Sequence, residues 1–158
     1  MVIYVDGSAK PNPGKGGYSV IVMNGDKILD AYCHYEDNTT NNRQELKAIL
    51  YALIRWGTKL SDLVWYDSIP VVYSDSAYSV QTYNDWMFKW ERNGWCKADG
   101  QIPENLDLIQ EYFNLYQKGY RIDLRKIKGH AGHLGNELAD KLATKEMTIE
   151  EVMNYGRK

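Results

Sequence analysis

The order of apolar and polar positions in the first half of the chain predicts short strands. Apolar runs over Val2 to Val5 and Ile69 to Tyr73 are typical of buried strands. Tyr18 to Met23 and Ile28 to Tyr35 predict two more, joined at Asn24-Gly25 because that dipeptide favours the backbone of tight hairpin turns. The sequence therefore predicts an antiparallel meander followed by a separate strand.

Three longer segments have the i, i+3, i+4 spacing of amphipathic helices. They are the run that follows Glu45, the segment from Pro103 to Lys118, and the segment from Asn136 to Met147. A shorter helix is predicted from Ala77 to Tyr83. The residues expected to face the core are Leu46, Ile49, Leu50, Leu53 and Ile54 in the first helix, Leu106, Ile109, Phe113 and Tyr116 in the second, and Leu138, Ala139, Leu142 and Ala143 in the third.

A last strand is predicted from Tyr120 to Lys128, where apolar and charged residues alternate. The elements then run as three strands, a helix, a strand, helices, a strand and a helix. This order predicts an α/β fold with a five-stranded mixed sheet, an antiparallel meander plus parallel strands, flanked by helices. Thr58 to Ser68 is predicted to be a connection. The expected domain covers residues 1–147, and Thr148 to Lys158 is expected to be a frayed C-terminal tail.

Composition limits the class of protein. The 158 residues are 44 % hydrophobic and 25 % charged, which excludes a disordered or fibrous chain and suffices for one core. The 13 Tyr and 5 Trp suit surfaces that are partly apolar and partly wet. A net charge of −2 gives no overall basic field for a polyanion. One segment is nevertheless basic, with Lys118, Arg121, Arg125, Lys126 and Lys128 close together.

The cysteine count and the N-terminal sequence bear on the compartment. Cys33 and Cys96 are too few for a disulfide framework or a thiolate metal site, so both are expected to be free thiols. Met1 is followed by no basic segment and by no long apolar stretch, which predicts neither secretion nor membrane insertion. The resulting expectation is a cytoplasmic protein.

Four acidic residues lie at the ends of predicted strands or on the flanks of predicted helices. Asp6 and Asp75 each follow an apolar strand, and Glu45 and Asp140 lie beside the apolar stripes of their helices. Each has an ordinary structural interpretation: an Asx turn at Asp6, a capping box between Asn42 and Glu45, a helix N-cap around Asp75, and a surface acid at Asp140. Because open α/β sheets place sites beyond the carboxyl ends of strands, the coincidence of all four favours one shared site.

A tryptophan-rich segment follows the predicted helix after Asp75. Trp86 and Trp90 are one helical turn apart and are interleaved with Lys89, Arg92 and Lys97. A tryptophan stripe is usually part of a core. Mixed with cations, however, it fits a nucleic-acid strand that rests on aromatic faces and basic tips.

Two other motifs are disfavoured. Gly14-Lys15 suggests a phosphate-binding loop, but Ala9 and Gly16 occupy the positions of its first glycine and of its Ser/Thr. The glycine-rich loop that carries His130 and His133 lacks cysteines and the helical i, i+4 spacing that would favour zinc.

Taken together, the motifs resemble those of type 1 ribonuclease H, in the same order and over about residues 1–147. They are Asp6-Gly7-Ser8, Thr39 to Leu46, Ser74-Asp75-Ser76, the segment with Trp86, Trp90 and Trp95, and Gly129 to Asp140. The resemblance implies cleavage of the RNA strand of RNA–DNA hybrids within the strand, leaving a 5′-phosphate and a 3′-hydroxyl. It also implies the ribonuclease H fold.

The resemblance implies the roles of the acids and of one histidine. Asp6, Glu45, Asp75 and Asp140 match a cluster that binds two Mg²⁺ ions, with Mn²⁺ as a substitute, and hard divalent ions do prefer oxygen ligands. His130 matches a histidine on a mobile loop, which is suited to moving a proton or helping product release. By the same resemblance these five residues are the expected catalytic set.

Substrate contacts are also implied by the resemblance. Asn12, Asn41 and Asn42 match residues that read the minor groove, where the 2′-hydroxyl distinguishes RNA from DNA, and Thr40 matches a contact to a DNA phosphate. The tryptophan-rich segment is expected to bind the hybrid through Trp86, Trp90, Lys89 and Arg92. Ala77 departs from members with a polar residue there, and Asp85 and Glu91 dilute the positive charge.

Two alternatives stay open at this point. One is a non-catalytic hybrid-binding module that keeps the fold, and the other is a related nuclease of the same fold that acts on DNA. A complete set of four acids argues against the first. The tryptophan-rich segment and Asn41-Asn42 argue against the second. The expected protein is a monomer whose partner is a hybrid duplex, with no membrane association.

Overall fold

The structure, a computed structural model, describes residues 1–63 and 68–155 and is built on a five-stranded mixed sheet with the order β3-β2-β1-β5-β7. Strands β1 to β3 are antiparallel neighbours, and β5 and β7 run parallel to β1. A separate two-stranded sheet pairs β4 with β6. The strands are β1 (Val2–Ala9), β2 (Gly14–Asn24), β3 (Lys27–Thr39), β4 (Thr58–Lys59), β5 (Val71–Ser74), β6 (Tyr120–Arg121) and β7 (Asp123–Lys126). The predicted fold class is confirmed.

The helices cover both faces of the sheet. They are α1 (Asn41–Trp56), α2 (Ala77–Gln81), α3 (Met87–Arg92), α4 (Leu106–Gln117), α5 (Leu134–Ala143) and α6 (Ile149–Tyr155), with a 3₁₀ turn at Leu60–Asp62. A π-helical turn, Thr82–Trp86, joins α2 to α3 in one helical segment. Across the described part of the chain, every helix is too short or too polar to cross a membrane.

The core has two layers because β2 is apolar on both faces. Val20 and Val22 pack with α1 and α4, whereas Ile21 and Met23 pack with α5 and α6. A strand covered on both sides is expected to show such a continuous apolar run. A shift of the register by one residue would exchange the residues of the two layers.

Helix α5 is attached to the sheet by polar contacts as well as by its apolar stripe. The Ser19 hydroxyl donates to the carbonyl of Ala139 at 2.5 Å, and the Tyr35 hydroxyl donates to the carbonyl of Leu142 at 2.5 Å. At the start of the helix, Gly135 lies so close to the ring of Tyr4 that a Cβ there would overlap it. These contacts fix the helix that carries Asp140.

Several strand boundaries differ from the prediction. Strand β1 does not end at Asp6, because pairing with β2 continues to Ala9. The hairpin loop is Gly25-Asp26, since Asn24 still pairs with Lys27. The predicted strand from Tyr120 to Lys128 is two strands, because β6 pairs with β4 whereas β7 pairs with β5. The part of the predicted Thr58 to Ser68 connection that covers 64–67 lies outside the described residues.

Helix boundaries and faces also differ in places. Ile54 is 56 % exposed, and of the predicted stripe of α4 Ile109 is buried, together with Leu108 and Tyr112, while Phe113 and Tyr116 are only partly buried. Helix α5 begins at Leu134 and ends at Ala143, beyond which Lys145 has a positive φ of 65°. Cys33 and Cys96 are free thiols, as predicted.

The C-terminal segment is not a frayed tail over the residues that the structure describes. Helix α6 buries Val152 completely beneath β3 and α5. Thr148 and Glu151 form a reciprocal capping box: the Thr148 hydroxyl accepts from Glu151 N at 3.1 Å, and the Glu151 carboxylate accepts from Thr148 N at 3.3 Å. Residues 156–158 lie outside the described part of the chain.

Candidate active site

Three of the predicted carboxylates converge at the end of the central strands. Asp6, Glu45 and Asp75 each offer an oxygen within 4.8 Å of the others. Asp6 is 5 % exposed and Glu45 is 8 % exposed, whereas Asp75 is half-buried. Acidic groups so close together and so deeply buried repel one another unless protons or cations compensate their charge.

Strand register places the two aspartates side by side. Tyr4 of β1 is paired with Tyr73 of β5 in a parallel ladder, and the same register continued by two residues makes Asp6 level with Asp75. The two tyrosine rings below them are stacked at 5.5 Å. Asp75 directly follows its strand, as predicted, whereas Asp6 lies within its strand and not at its end.

Close packing of α1 on β1 brings Glu45 to the aspartates. A Cβ at Gly7 would overlap the backbone of Gln44 and Glu45, so the absence of a side chain at Gly7 permits this approach. The sequence motif Asp6-Gly7-Ser8 did not reveal that Gly7 allows α1 to pack this closely on β1. The signal was a glycine directly after an acid inside an apolar strand.

Both helix caps are made by neighbouring residues, which frees the acids for the site. Thr40, not Asn42, caps α1, because its hydroxyl accepts from Arg43 N at 3.1 Å. Ser76 caps α2 by accepting from Ser79 N at 3.1 Å. The predicted capping box between Asn42 and Glu45 is therefore wrong, whereas the N-cap predicted around Asp75 is present but is made by Ser76 and not by Asp75.

Burial and mutual repulsion raise the pKa values of the three clustered carboxylates. Burial and, after it, the charge of Asp75 together raise the pKa of Asp6 to about 7, although hydrogen bonds from Glu45 and Gly7 N oppose the rise. Burial, followed by the charge of Asp6, raises the pKa of Glu45 well above its usual range. Burial and the charge of Asp140 raise the pKa of Asp75, while the nearby His130 opposes the rise.

Asp140 and His130 lie at the edge of the cluster. Asp140 is half-exposed on α5 and is outside the group of oxygens within 4.8 Å, but its charge acts on both Asp6 and Asp75. His130 is exposed and has a positive φ of 56°. The preceding Gly129 passes so close to Asp75 that a Cβ there would lie 3.0 Å from its Oδ2.

The donor set fits hard divalent cations. Glu45 Oε2 is buried and has no hydrogen-bond partner among the described residues, so an acceptor is left for an ion or a water. Carboxylate oxygens that converge without a basic side chain between them are typical ligands of Mg²⁺ and Mn²⁺. Asp6, Glu45 and Asp75 could hold such an ion, and the charge of Asp140 acts on this group from its edge.

The predicted minor-groove residues lie together beside the start of α1. Asn12 Oδ1 accepts from Asn41 N at 3.1 Å, and Asn41 Oδ1 accepts from Ala9 N at 2.6 Å. Asn42 is exposed on the first turn of the helix. Because both amide oxygens are engaged, the NH₂ groups are the parts that can donate to an acceptor on a ligand. Thr40, at the cap, keeps a hydroxyl hydrogen to donate.

The tryptophan-rich segment forms a separate surface on α2, the π-helical turn and α3. Trp86 and Trp90 have ring centroids 5.6 Å apart, and Tyr78 meets Trp86 edge-on at 6.1 Å. Lys89 forms an ion pair with Asp85 at 3.2 Å, which reduces its free charge as the sequence suggested. Ala77 and Arg92 are exposed at the two ends of this segment.

Comparison with known proteins identifies the family. The RNase H family model matches residues 1–148. A ribonuclease H of Alcanivorax borkumensis is 38 % identical over 145 residues, which cover 92 % of this chain and 89 % of the relative. The chain therefore belongs to the RNase H family, and the resemblance seen in the motifs is confirmed.

Solved structures agree with this assignment. LC9-RNase H1, a type 1 RNase H with the type 2 active-site motif, aligns with a TM-score of 0.68 and 28 % identity, covering 91 % of this chain and 71 % of that one. LC11-RNase H1, solved in complex with an RNA/DNA hybrid, aligns with a TM-score of 0.64 and 22 % identity, covering 96 % of this chain and 98 % of that one. At that identity the second likeness shows the fold.

The crowded carboxylates predict an unusual pH dependence of stability in the absence of metal. Because the pKa of Asp6 is 3.8 when unperturbed and about 7 in the fold, the folded state binds protons that the unfolded chain has released. The free energy of unfolding should therefore fall as the pH rises from about 4 to about 7. Asp6→Asn should reduce this fall and raise the melting temperature at pH 8 by about 2–8 °C, about 2–4 °C for each kcal/mol of repulsion removed.

The measurement is thermal melting in EDTA over this pH range. Asp26→Asn, in the exposed β2–β3 turn, is the matched control because it removes a carboxylate far from the cluster. An Asp6→Asn profile that follows the control would mean that burial and the neighbouring charges do not disfavour ionised Asp6.

Proposed function

We propose that this protein is an endonuclease that hydrolyses the RNA strand of RNA–DNA hybrids and leaves 5′-phosphate and 3′-hydroxyl ends. The observation that carries the proposal is the convergence of Asp6, Glu45 and Asp75 in a chain of the RNase H family. The curated relatives, which carry the name ribonuclease H, are matched over 88–97 % of their length. The hybrid bound by LC11-RNase H1 supports the same class of substrate.

The carboxylates would hold two Mg²⁺ ions, with Mn²⁺ as a substitute, and would do so through Asp6, Glu45, Asp75 and Asp140. When bound, such a pair of ions supplies an activated water and stabilises the charge on the leaving oxygen. Burial keeps Asp6 and Glu45 in place between the sheet and α1, so their oxygens need little rearrangement when an ion binds. We assign proton transfer at the 3′-oxygen, or assistance to product release, to the imidazole of His130.

The remaining predicted residues would position the hybrid. Asn12, Asn41 and Asn42 present amide donors beside the carboxylates, where a 2′-hydroxyl could accept and so mark the RNA strand. Thr40 would donate to a phosphate of the DNA strand. The tryptophan-rich surface would bind one strand of the hybrid through Trp86, Trp90, Lys89 and Arg92. Bases and sugars stack on aromatic faces without regard to sequence.

Oligomeric state and compartment complete the proposal: the protein would act as a monomer in the cytoplasm. The site needs no second copy of the chain, because all four acids and His130 come from one chain. Size-exclusion chromatography with light scattering would test the first.

The test of function is a cleavage assay on matched duplexes. End-labelled RNA–DNA hybrid, duplex RNA and duplex DNA of one sequence are incubated with the protein in Mg²⁺, in Mn²⁺ and in EDTA. We expect internal cuts in the RNA of the hybrid alone, with a divalent ion required and new 5′-phosphates detectable by ligation. Binding of the hybrid without cleavage would favour the non-catalytic module, and cleavage of duplex DNA would favour the DNA-acting nuclease.

A further inference from the structure

A second concave site lies beside the carboxylates and has no role in the assignments above. It is a cavity of about 330 Å³ between the start of β2, the end of β3 and the end of α5. Three lysines line it: Lys10 in the β1–β2 loop, Lys15 at the start of β2, and Lys145 after α5. Ser8, Tyr35 and Thr144 also contribute to the wall.

The lysines are brought together by defined contacts. Lys10 N donates to the carbonyl of Lys15 at 2.9 Å, which closes the β1–β2 loop and places both side chains at one mouth. Lys145 Nζ lies 4.6 Å from the centroid of the Tyr35 ring, and the hydroxyl of that tyrosine is held by the carbonyl of Leu142. The cavity is therefore bounded by the hydrogen-bonded backbone of the β1–β2 loop and by the ring of Tyr35, and the ammonium group of Lys145 packs on that ring.

Positive charge is in excess inside this cavity. Two carboxylates, Glu36 and Asp37, also line it, but Glu36 is ion-paired with Lys47 on α1. Among the residues that the structure describes, no carboxylate lies within 4.0 Å of the ammonium groups of Lys10, Lys15 or Lys145. Cations that share a concave surface without anionic partners repel one another, and an anion that binds there relieves this repulsion.

Strand β1 and helix α5 each carry one residue of the carboxylate site and, a few residues later, one residue that lines the cavity. Ser8 lies two residues beyond Asp6 on β1 and so has the same side-chain direction, about 6.6 Å further along the strand. Thr144 lies four residues beyond Asp140, one turn and about 6 Å further along the α5 axis. Successive phosphates of one strand advance about 3.4 Å along a DNA duplex axis, so an offset of this size is within the reach of one or two nucleotides of a strand held at the carboxylates.

We propose that Lys10, Lys15 and Lys145 bind a backbone phosphodiester of the RNA strand, one or two nucleotides from the phosphate held at the carboxylates. The proposal rests on the proposed function, because it needs a polynucleotide at the carboxylate cluster. The strand is specified by continuity: the strand whose phosphate reaches Asp6 and Asp140 is the one that continues past Ser8 and Thr144. The lysines thus act as a clamp that sets the register of the cleaved strand and compensates for the overall negative charge of the chain.

The first test removes the charges singly. Lys15→Gln and Lys145→Gln should each weaken hybrid binding about fivefold to tenfold near 0.1 M salt and reduce the slope of log K against log salt by about one. Mg²⁺-dependent cleavage should remain measurable at saturating hybrid, because neither residue touches the cluster. Lys27→Gln is the matched control: it removes the same charge in an exposed position at the start of β3, opposite the last residue of β2.

The second test identifies the strand and the phosphate. Single neutral methylphosphonates, on 2′-deoxy units, are placed one at a time on each side of a fixed cleavage position in the RNA strand, and in a second series in the DNA strand. At one RNA-strand position we expect the neutral linkage to weaken binding to wild-type protein but not to Lys145→Gln. Coupling to a DNA-strand phosphate instead would overturn the proposal.

Failure of this inference can be separated from failure of the proposed function. Binding is measured by fluorescence anisotropy in EDTA, which needs no catalysis, while cleavage by the wild-type protein is scored separately. If the wild-type protein cuts the hybrid but both lysine variants bind like Lys27→Gln, the clamp is rejected and the function stands. If the wild-type protein neither binds nor cuts the hybrid, the proposed function fails, and the clamp fails with it.

Discussion

Asp75→Asn is expected to abolish hybrid cleavage while the protein stays folded and still binds the hybrid. Asp75 directly follows β5, and its oxygens lie within 4.8 Å of those of Asp6 and Glu45, so the substitution removes a ligand charge from the centre of the cluster. The loss should be far larger than the about 10–100-fold that follows removal of a hydrogen-bond partner of a metal ligand. The change should not destabilise the metal-free fold, because burial and the charge of Asp140 already disfavour ionised Asp75.

Three measurements separate a lost site from a lost fold. They are cleavage of labelled hybrid in Mg²⁺ and in Mn²⁺, hybrid binding in EDTA, and calorimetric titration of Mg²⁺ into the protein alone. Asp6→Asn should behave as Asp75→Asn does, and Asp26→Asn should match the wild-type protein in all three. Near-normal turnover of Asp75→Asn, with Mg²⁺ binding retained, would show that the metal site lies elsewhere.

The sheet could be predicted from sequence because its strands are marked by apolar runs and because parallel pairing needs helical crossovers. Its boundaries could not. The β1–β2 ladder extends through Asp6-Gly7-Ser8, which carries no apolar signal, since backbone pairing and not side-chain character sets its end. Helix α6 was missed for another reason: the capping box of Thr148 and Glu151 was present, but a seven-residue helix has almost no periodicity to detect.

The chemistry of the site was more visible in the sequence than its geometry. Four acids in an ordered set of motifs indicated a cluster, but only the parallel register makes Asp6 level with Asp75, and only Gly7 lets Glu45 reach them. The lysines of the cavity were not predicted, because they come from two distant segments, around the β1–β2 loop and after α5, and because the predicted end of α5 lay beyond Lys145. Contacts of that kind depend on how α5 meets β2 and β3, which local pattern does not encode.

His130→Ala should give the second largest loss, about 10²–10⁴-fold in turnover, as expected for removal of a group that assists proton transfer. The imidazole is exposed beside Asp75, in a loop whose backbone at Gly129 touches that carboxylate. Mg²⁺-dependent cleavage should remain measurable and hybrid binding should be unchanged, because the ligand carboxylates are intact. Single-turnover kinetics across pH would distinguish a lost proton transfer from slow product release.

Backbone conformation at this position demands a second variant. His130 has a positive φ of 56°, which alanine disfavours and asparagine tolerates, so His130→Asn removes the imidazole with less strain. Both variants should lose activity equally if the imidazole matters, whereas recovery in His130→Asn would assign the loss to the backbone. His133 precedes α5 and its side chain does not cap the helix, so His133→Ala should do less than either. If His133→Ala proved the more damaging change, His130 would lose its assignment.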